Sequence, residues 1–139
     1  ELGLERSITD DWQVSAGYTW QKAEVREATT ACLSGDCDVP LVPRHSFSLW
    51  SRYDISDRIG VGLGAIARSS SYASIGNMVK LPGYARFDAA VFYNITEGVK
   101  AQLNVENLFN ADYFASAHSD NNIAPGAPTT AKFAIRVGM

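Results

Sequence analysis

The sequence has no long hydrophobic run. Its longest, residues 59–67, stops far short of the roughly 18 uncharged residues that a membrane-spanning helix needs, which excludes a helical membrane protein. It has no excess of one charge either: 12 Lys and Arg stand against 15 Asp and Glu, a net charge of -3, and 46% of residues are hydrophobic. That balance excludes a polybasic nucleic-acid binder and a disordered tail of low hydrophobicity. Histidine is scarce, and His45 and His118 stand too far apart for metal-ligand spacing. No Gly-x-Ser-x-Gly elbow supports a Ser/His/Asp set, and Gly60-x-Gly62-x-Gly64 follows no strand-to-helix transition, so it is no nucleotide loop. Asp120-Asn121-Asn122 lacks the alternation and acidic closure of a calcium loop and reads as an exposed turn. With no catalytic constellation, the expectation is a protein that is not an enzyme and binds no metal or cofactor directly.

Two cysteines, Cys32 and Cys37, sit in the polar stretch Cys32-Leu33-Ser34-Gly35-Asp36-Cys37. Their proximity, with Gly35 available for a tight turn, suits a small loop-closing disulfide and an oxidising compartment; the alternative is a pair of free thiols. No positively charged segment followed by an apolar stretch opens the chain, so no secretory signal is expected within it. It starts abruptly, already alternating at Leu2 and Leu4, which is taken as a hint that it was cut from a longer protein.

What the sequence has is period-two alternation. Trp12, Val14, Ala16, Tyr18 and Trp20 point one way, and Gln13, Ser15, Gly17, Thr19 and Gln21 the other. The split recurs with Phe47, Leu49, Tyr53 and Ile55, with Ile59, Val61, Leu63, Ala65 and Ala67, and with Phe87, Ala89, Val91, Tyr93 and Ile95. Val99, Ala101, Leu103 and Val105 follow, then Ala131, Phe133, Ile135, Val137 and Met139. With the opening segment, the pattern predicts about seven antiparallel strands in an up-and-down meander.

Short turns at 9–11, 56–58 and 96–98 alternate with long connections at 26–44, 69–83 and 111–128. In a meander this puts every short turn at one end of the sheet and every long loop at the other. A soluble sandwich also alternates apolar and polar residues, but nothing in it requires that segregation. Outer-membrane barrels show it as a rule. The face chemistry agrees: Arg52, Asp54, Arg68, Arg86, Asp88, Lys100, Glu106, Lys132 and Arg136 share the proposed lumen side, while the other side is almost free of charge in mid-strand. A charge there would cost about 2–4 kcal/mol at the bilayer midplane. Trp12 and Trp20 lie about 26 Å apart along a strand, or roughly 20 Å along the normal at a tilt near 40°. With Tyr18, Tyr53 and Tyr93 they are candidate membrane-interface aromatics; the alternative makes them core aromatics of a sandwich.

Several segments go further and resemble the C-terminal barrel of TonB-dependent outer-membrane receptors, particularly the ferric-siderophore class. They are Ala16-Gly17-Tyr18-Thr19, Val42-Pro43-Arg44-His45-Ser46-Phe47-Ser48-Leu49-Trp50, and Leu81-Pro82-Gly83-Tyr84-Ala85-Arg86-Phe87-Asp88-Ala89-Ala90, followed by Asn104-Val105-Glu106-Asn107-Leu108-Phe109-Asn110-Ala111-Asp112-Tyr113-Phe114 and Ile123-Ala124-Pro125-Gly126-Ala127-Pro128. The Asn-Leu-Phe-Asn-x-x-Tyr and Pro-Gly-x-Pro segments are the most specific. The resemblance implies an all-β fold, residues 1–139 forming the final third of a barrel of 22 strands around an N-terminal plug, with the plug and earlier strands outside this sequence.

It also implies a bacterial outer-membrane location, a ferric-siderophore complex as transported ligand, and lipid, the plug, the remaining barrel and TonB as partners. Tyr72, Tyr113, Phe114 and His118, in or beside long connections, become candidate ligand contacts, with packing of the loops against the wall as the alternative role. The chain departs from the family in stopping at Met139 rather than at an aromatic residue. Two other readings stay open: a passive porin or structural barrel, and a soluble all-β binding module.

Overall fold

The computed structural model describes residues 1–30, 32–33 and 35–138. The expected outward position of Met139 and the Ser34 position of the cysteine segment lie outside the described residues. In chain order the strands are β1 (Leu2–Thr9), β2 (Trp12–Trp20), β3 (Glu24–Val25), β4 (Cys37–Asp38), β5 (His45–Asp54), β6 (Ile59–Arg68), β7 (Ser71–Tyr72), β8 (Lys80–Leu81), β9 (Tyr84–Thr96), β10 (Val99–Glu106), β11 (Phe114–Ser119), β12 (Asn122–Pro125) and β13 (Thr130–Val137). Seven form one sheet in the order β1-β2-β5-β6-β9-β10-β13. Every neighbouring pair in it is antiparallel. These are the seven strands of the alternation, joined as a meander.

Six strands were not expected. They form three two-stranded ribbons, β3-β4, β7-β8 and β11-β12, one for each long connection, the first beginning at Glu24, just before its expected start at residue 26. Each is short, so its period-two signal is too brief to separate from a polar loop.

Register fixes the faces. Trp12, Tyr53, Val61, Val91, Leu103 and Phe133 lie in one continuous cross-strand row, and Val14, Ser51, Leu63, Ala89, Val105 and Ala131 in the next. Gln13, Arg52, Gly62, Ala90, Asn104 and Lys132 form a row on the opposite face. A slip of one residue between any two strands would mix the faces, so the phase shared by all seven is a strong constraint.

The apolar face is bare. Leu63 is 61% exposed, Phe133 67% and Val91 45%, and the buried hydrophobic residues are Cys32, Cys37, Ala73, Leu81 and Ala90, of which only Ala90 belongs to the large sheet. Among the described residues there is no second layer to cover Trp12, Leu63 or Val91. The described residues therefore form no sandwich core.

Polar groups on that face are mostly satisfied within it. Trp12 Nε1 donates to Ser51 Oγ at 2.9 Å near the short-turn end, and the Tyr18 hydroxyl meets His45 Nδ1 at 2.8 Å near the loop end. Arg6, opposite Val14, is in phase with the apolar rows. It stands close to the Asp10-Asp11 turn, where a long side chain can carry its charge to the interface.

On the polar face, Trp50 lies across β6. A Cβ at Gly62 would sit 2.5 Å from Trp50 Cζ2, and one at Gly64 2.8 Å from its Cε3. Gly62 and Gly64 thus seat the indole of the adjacent strand. Beside it, Arg52 stacks 4.5 Å over the Phe92 ring and donates through Nε to Asp54 Oδ1 at 3.0 Å.

Leu63→Arg on the bare face should destabilise the complete barrel in lipid vesicles by about 2–4 kcal/mol in a urea titration, whereas Gln102→Arg on the polar face should change it by less than about 1 kcal/mol.

Candidate functional site

The loop end of the sheet is built from residues 21–44, 69–83 and 107–129. In the first connection β3 pairs with β4, and the disulfide Cys32–Cys37, with Cα atoms 6.1 Å apart, closes the small loop that leads into β4. Asn77, from the second connection, brackets β4: the Asp38 amide donates to Asn77 Oδ1 at 2.7 Å, and Asn77 Nδ2 donates to the Asp38 carbonyl at 2.9 Å. Asn77 has a φ of 54°, a left-handed conformation that Asn tolerates better than most residues. The Leu41 amide donates to the Tyr72 carbonyl at 2.9 Å, so the two connections are tied at a second point.

Between them lies a cavity of about 270 Å³. Asp38, Arg44, Ser70, Tyr72 and Lys80 help line it. Arg44 Nη2 reaches Asp38 Oδ1 at 3.2 Å. Lys80, whose Nζ is 6.0 Å from the Tyr72 ring centre, makes no ion pair among the described residues. The cavity therefore has one cation in excess beside an aromatic face and serine hydroxyls. Such a surface suits an anionic ligand with aromatic character.

The third connection is held by Asn107, 2% exposed. Its Nδ2 donates to the Ala111 and Ala127 carbonyls, each at 3.0 Å, and its Oδ1 accepts from the Ala111 amide at 2.8 Å. Its backbone amide donates to Asp88 Oδ1 at 2.9 Å, and its carbonyl accepts from Thr129 Oγ1 at 2.7 Å. Asp88 Oδ2 accepts from Arg86 Nη2 at 2.8 Å, and Arg86 Nη1 donates to the Tyr113 hydroxyl at 3.3 Å. Tyr113 stacks on Tyr84 with centroids 4.6 Å apart, and its ring occupies the space a side chain at residue 126 would need. Asn107 and Asn110 have φ of 53° and 50°. The Asn-Leu-Phe-Asn-x-x-Tyr and Pro-Gly-x-Pro segments are thus two halves of one joint: asparagines for left-handed backbone and carboxamide bonds, glycine for the close approach of Tyr113.

The four candidate ligand contacts do not converge. Tyr72 lines the cationic cavity. Tyr113 is half-buried in the joint. Phe114 is 41% exposed at a shallow dent beside Tyr84 and Leu81. His118 is exposed on β11, in the β11-β12 ribbon. Sequence reading missed Arg44 and Lys80, because nothing in linear order signals that residues 38, 44, 72 and 80 share a cavity; the Asn77 bracket that assembles it is a tertiary feature.

One antiparallel meander with a bare apolar face, a charged opposite face and long connections segregated to one end defines the wall of an outer-membrane-type β-barrel. Residues 1–108 match the family model described as TonB dependent receptor-like, beta-barrel, and the chain belongs to that family. It is 37% identical over 135 residues to the catecholate siderophore receptor Fiu of Escherichia coli K12, a match covering 94% of this chain and 18% of Fiu. It is 35% identical over 130 residues to the probable TonB-dependent siderophore receptor PiuA of Acinetobacter baumannii, covering 87% of this chain and 18% of PiuA. The closed-form crystal structure of the ferric-catecholate import receptor Fiu superposes with a TM-score of 0.84 at 35% identity, over 97% of this chain and 20% of that one. The crystal structure of the Acinetobacter siderophore receptor PiuA gives 0.83 at 30% identity, with the same coverage. The chain thus spans about a fifth of the length of these relatives.

Asn107→Ala should cost about 2–3 kcal/mol, by removing three side-chain hydrogen bonds at a buried point, and should expose residues 111–128 to proteinase K. Asn107→Gly, which keeps the backbone conformation accessible, should lose the same bonds with less strain and be cut more slowly than the alanine variant.

Proposed function

We propose that residues 1–139 are the C-terminal wall strands and outer loops of a TonB-dependent receptor that imports a ferric-siderophore complex across the bacterial outer membrane. The observation that carries this reading is the phase-locked sheet, with its lipid-ready face and all long connections at one end, in a chain that belongs to this receptor family. Named relatives are siderophore receptors, among them a ferric-pyoverdine receptor and a ferrioxamine receptor as well as Fiu and PiuA. In this reading the rest of the barrel and an N-terminal plug complete the pore, and TonB delivers energy to the plug. The protein is a receptor and not an enzyme.

Each part of the wall then has a task. Trp12 and Tyr53 anchor one membrane interface, with Tyr93 beside them, and Tyr18 and Trp20 anchor the other. The outer loops face the medium and take part in selecting the ligand. Tyr72, Arg44 and Lys80 contribute a cationic, aromatic-walled contact for it. Iron(III) chelated by catecholate or hydroxamate groups presents oxygen-rich faces, and its tris-catecholate form is strongly anionic, which matches the surplus cation at Lys80. Tyr113 serves the loop joint, while Phe114 and His118 stand on the ribbon above it as secondary contacts.

Uptake of radiolabelled ferric siderophores by iron-starved cells, with and without the gene, tests the assignment; unchanged uptake across catecholate and hydroxamate complexes would overturn it. Arg44→Glu combined with Lys80→Glu should lower uptake of an anionic ferric catecholate roughly tenfold while leaving the amount of receptor in the membrane unchanged.

A further inference from the structure

The polar face neutralises most of its charge in pairs within the wall: Arg52 with Asp54, Arg86 with Asp88, and Lys132 with Glu106. On the strands themselves, at the short-turn end, two facing cations are left over. Lys100 on β10 and Arg136 on β13 lie directly opposite each other, both exposed, and neither forms an ion pair among the described residues. Like charges in direct cross-strand register destabilise the pairing unless a third group neutralises them.

None of the described strands supplies that group to Lys100. Its strand is hydrogen-bonded on both sides, and the residues facing it across the two ladders are Asn94 and Arg136. Asp57, Arg58 and Glu97, on the adjoining turns, line the same hollow of about 350 Å³ as Lys100; neither carboxylate reaches ion-pair distance of Lys100, and Arg58 adds another cation. The direction left open is the interior of the barrel.

We propose that Lys100 and Arg136 form a docking point for a carboxylate, from an Asp or Glu of the polypeptide that fills the barrel. The inference rests on the plugged-receptor reading and deepens it by naming the chemistry of one wall contact and its place at the short-turn end. A carboxylate fits because it is planar and can take two parallel N–H donors from a guanidinium while its remaining lone pairs face the ammonium. It also removes the like-charge conflict between β10 and β13, so the contact would stabilise the wall as well as the filling domain.

The test is zero-length carbodiimide crosslinking of the full-length receptor in outer-membrane vesicles, read by peptide mass spectrometry. The expected result is a Lys100 amide to an Asp or Glu of the N-terminal domain, absent from the Lys100→Gln variant, with a second amide to the same segment in the Arg136→Lys variant. Crosslinks from Lys100 confined to Asp57, Glu97 or another wall strand, or none at all, in a receptor that still imports iron, would overturn the docking point and leave the transport reading standing. A full-length protein with no domain inside its barrel would overturn the transport reading itself.

Discussion

A bilayer offers no hydrogen-bond partner to a peptide group, so a strand that crosses it must be paired on both sides. The rest of this structure follows from that demand. Seven strands pair in sequence order, each with the next, and the register keeps the apolar set on one face, with irregularities only between Ser7 and Thr9 and between Val99 and Lys100, beside short turns. In a soluble protein, Leu63 or Phe133 left mostly exposed would be a liability. Here that exposure is what hydrocarbon requires, and most charged residues collect on the other face, where three cation–carboxylate pairs form.

The outward face also shows how polar atoms are kept out of trouble next to lipid. The Trp12 indole N–H is capped by Ser51, and the Tyr18 hydroxyl by His45, each from the adjacent strand. Each ring then has one defined orientation, with its polar edge already satisfied. Ser51 interrupts the apolar pattern of β5, and its bond to Trp12 gives that interruption a reason.

Much of this was legible in the sequence, because a period of two survives wherever one face meets a uniform medium. Trp12 to Trp20 or Phe87 to Ile95 could be assigned to faces by counting alone. The short-turn and long-loop asymmetry was equally plain. What could not be read were features set by approach between distant segments: the seat that Gly62 and Gly64 make for Trp50, the hold of Asn77 on Asp38, and the cavity shared by Arg44, Tyr72 and Lys80. The loop ribbons were missed because two to six residues carry too little periodicity. The motif segments were recognised by resemblance, but their physical content, two left-handed asparagines and a glycine under Tyr113, needed coordinates.

The Asn107 joint gathers residues 107, 111, 127 and 129 at a single point where the last long connection leaves the wall and returns to it. Whatever chain lies between those anchors is mechanically insulated from the ladder of β10 and β13. Insertions, deletions or wholesale exchange of the β11-β12 ribbon can therefore accumulate without disturbing the final strand. Such a clasp confines any change in the tip of the connection to the tip, while the wall beneath it stays constant.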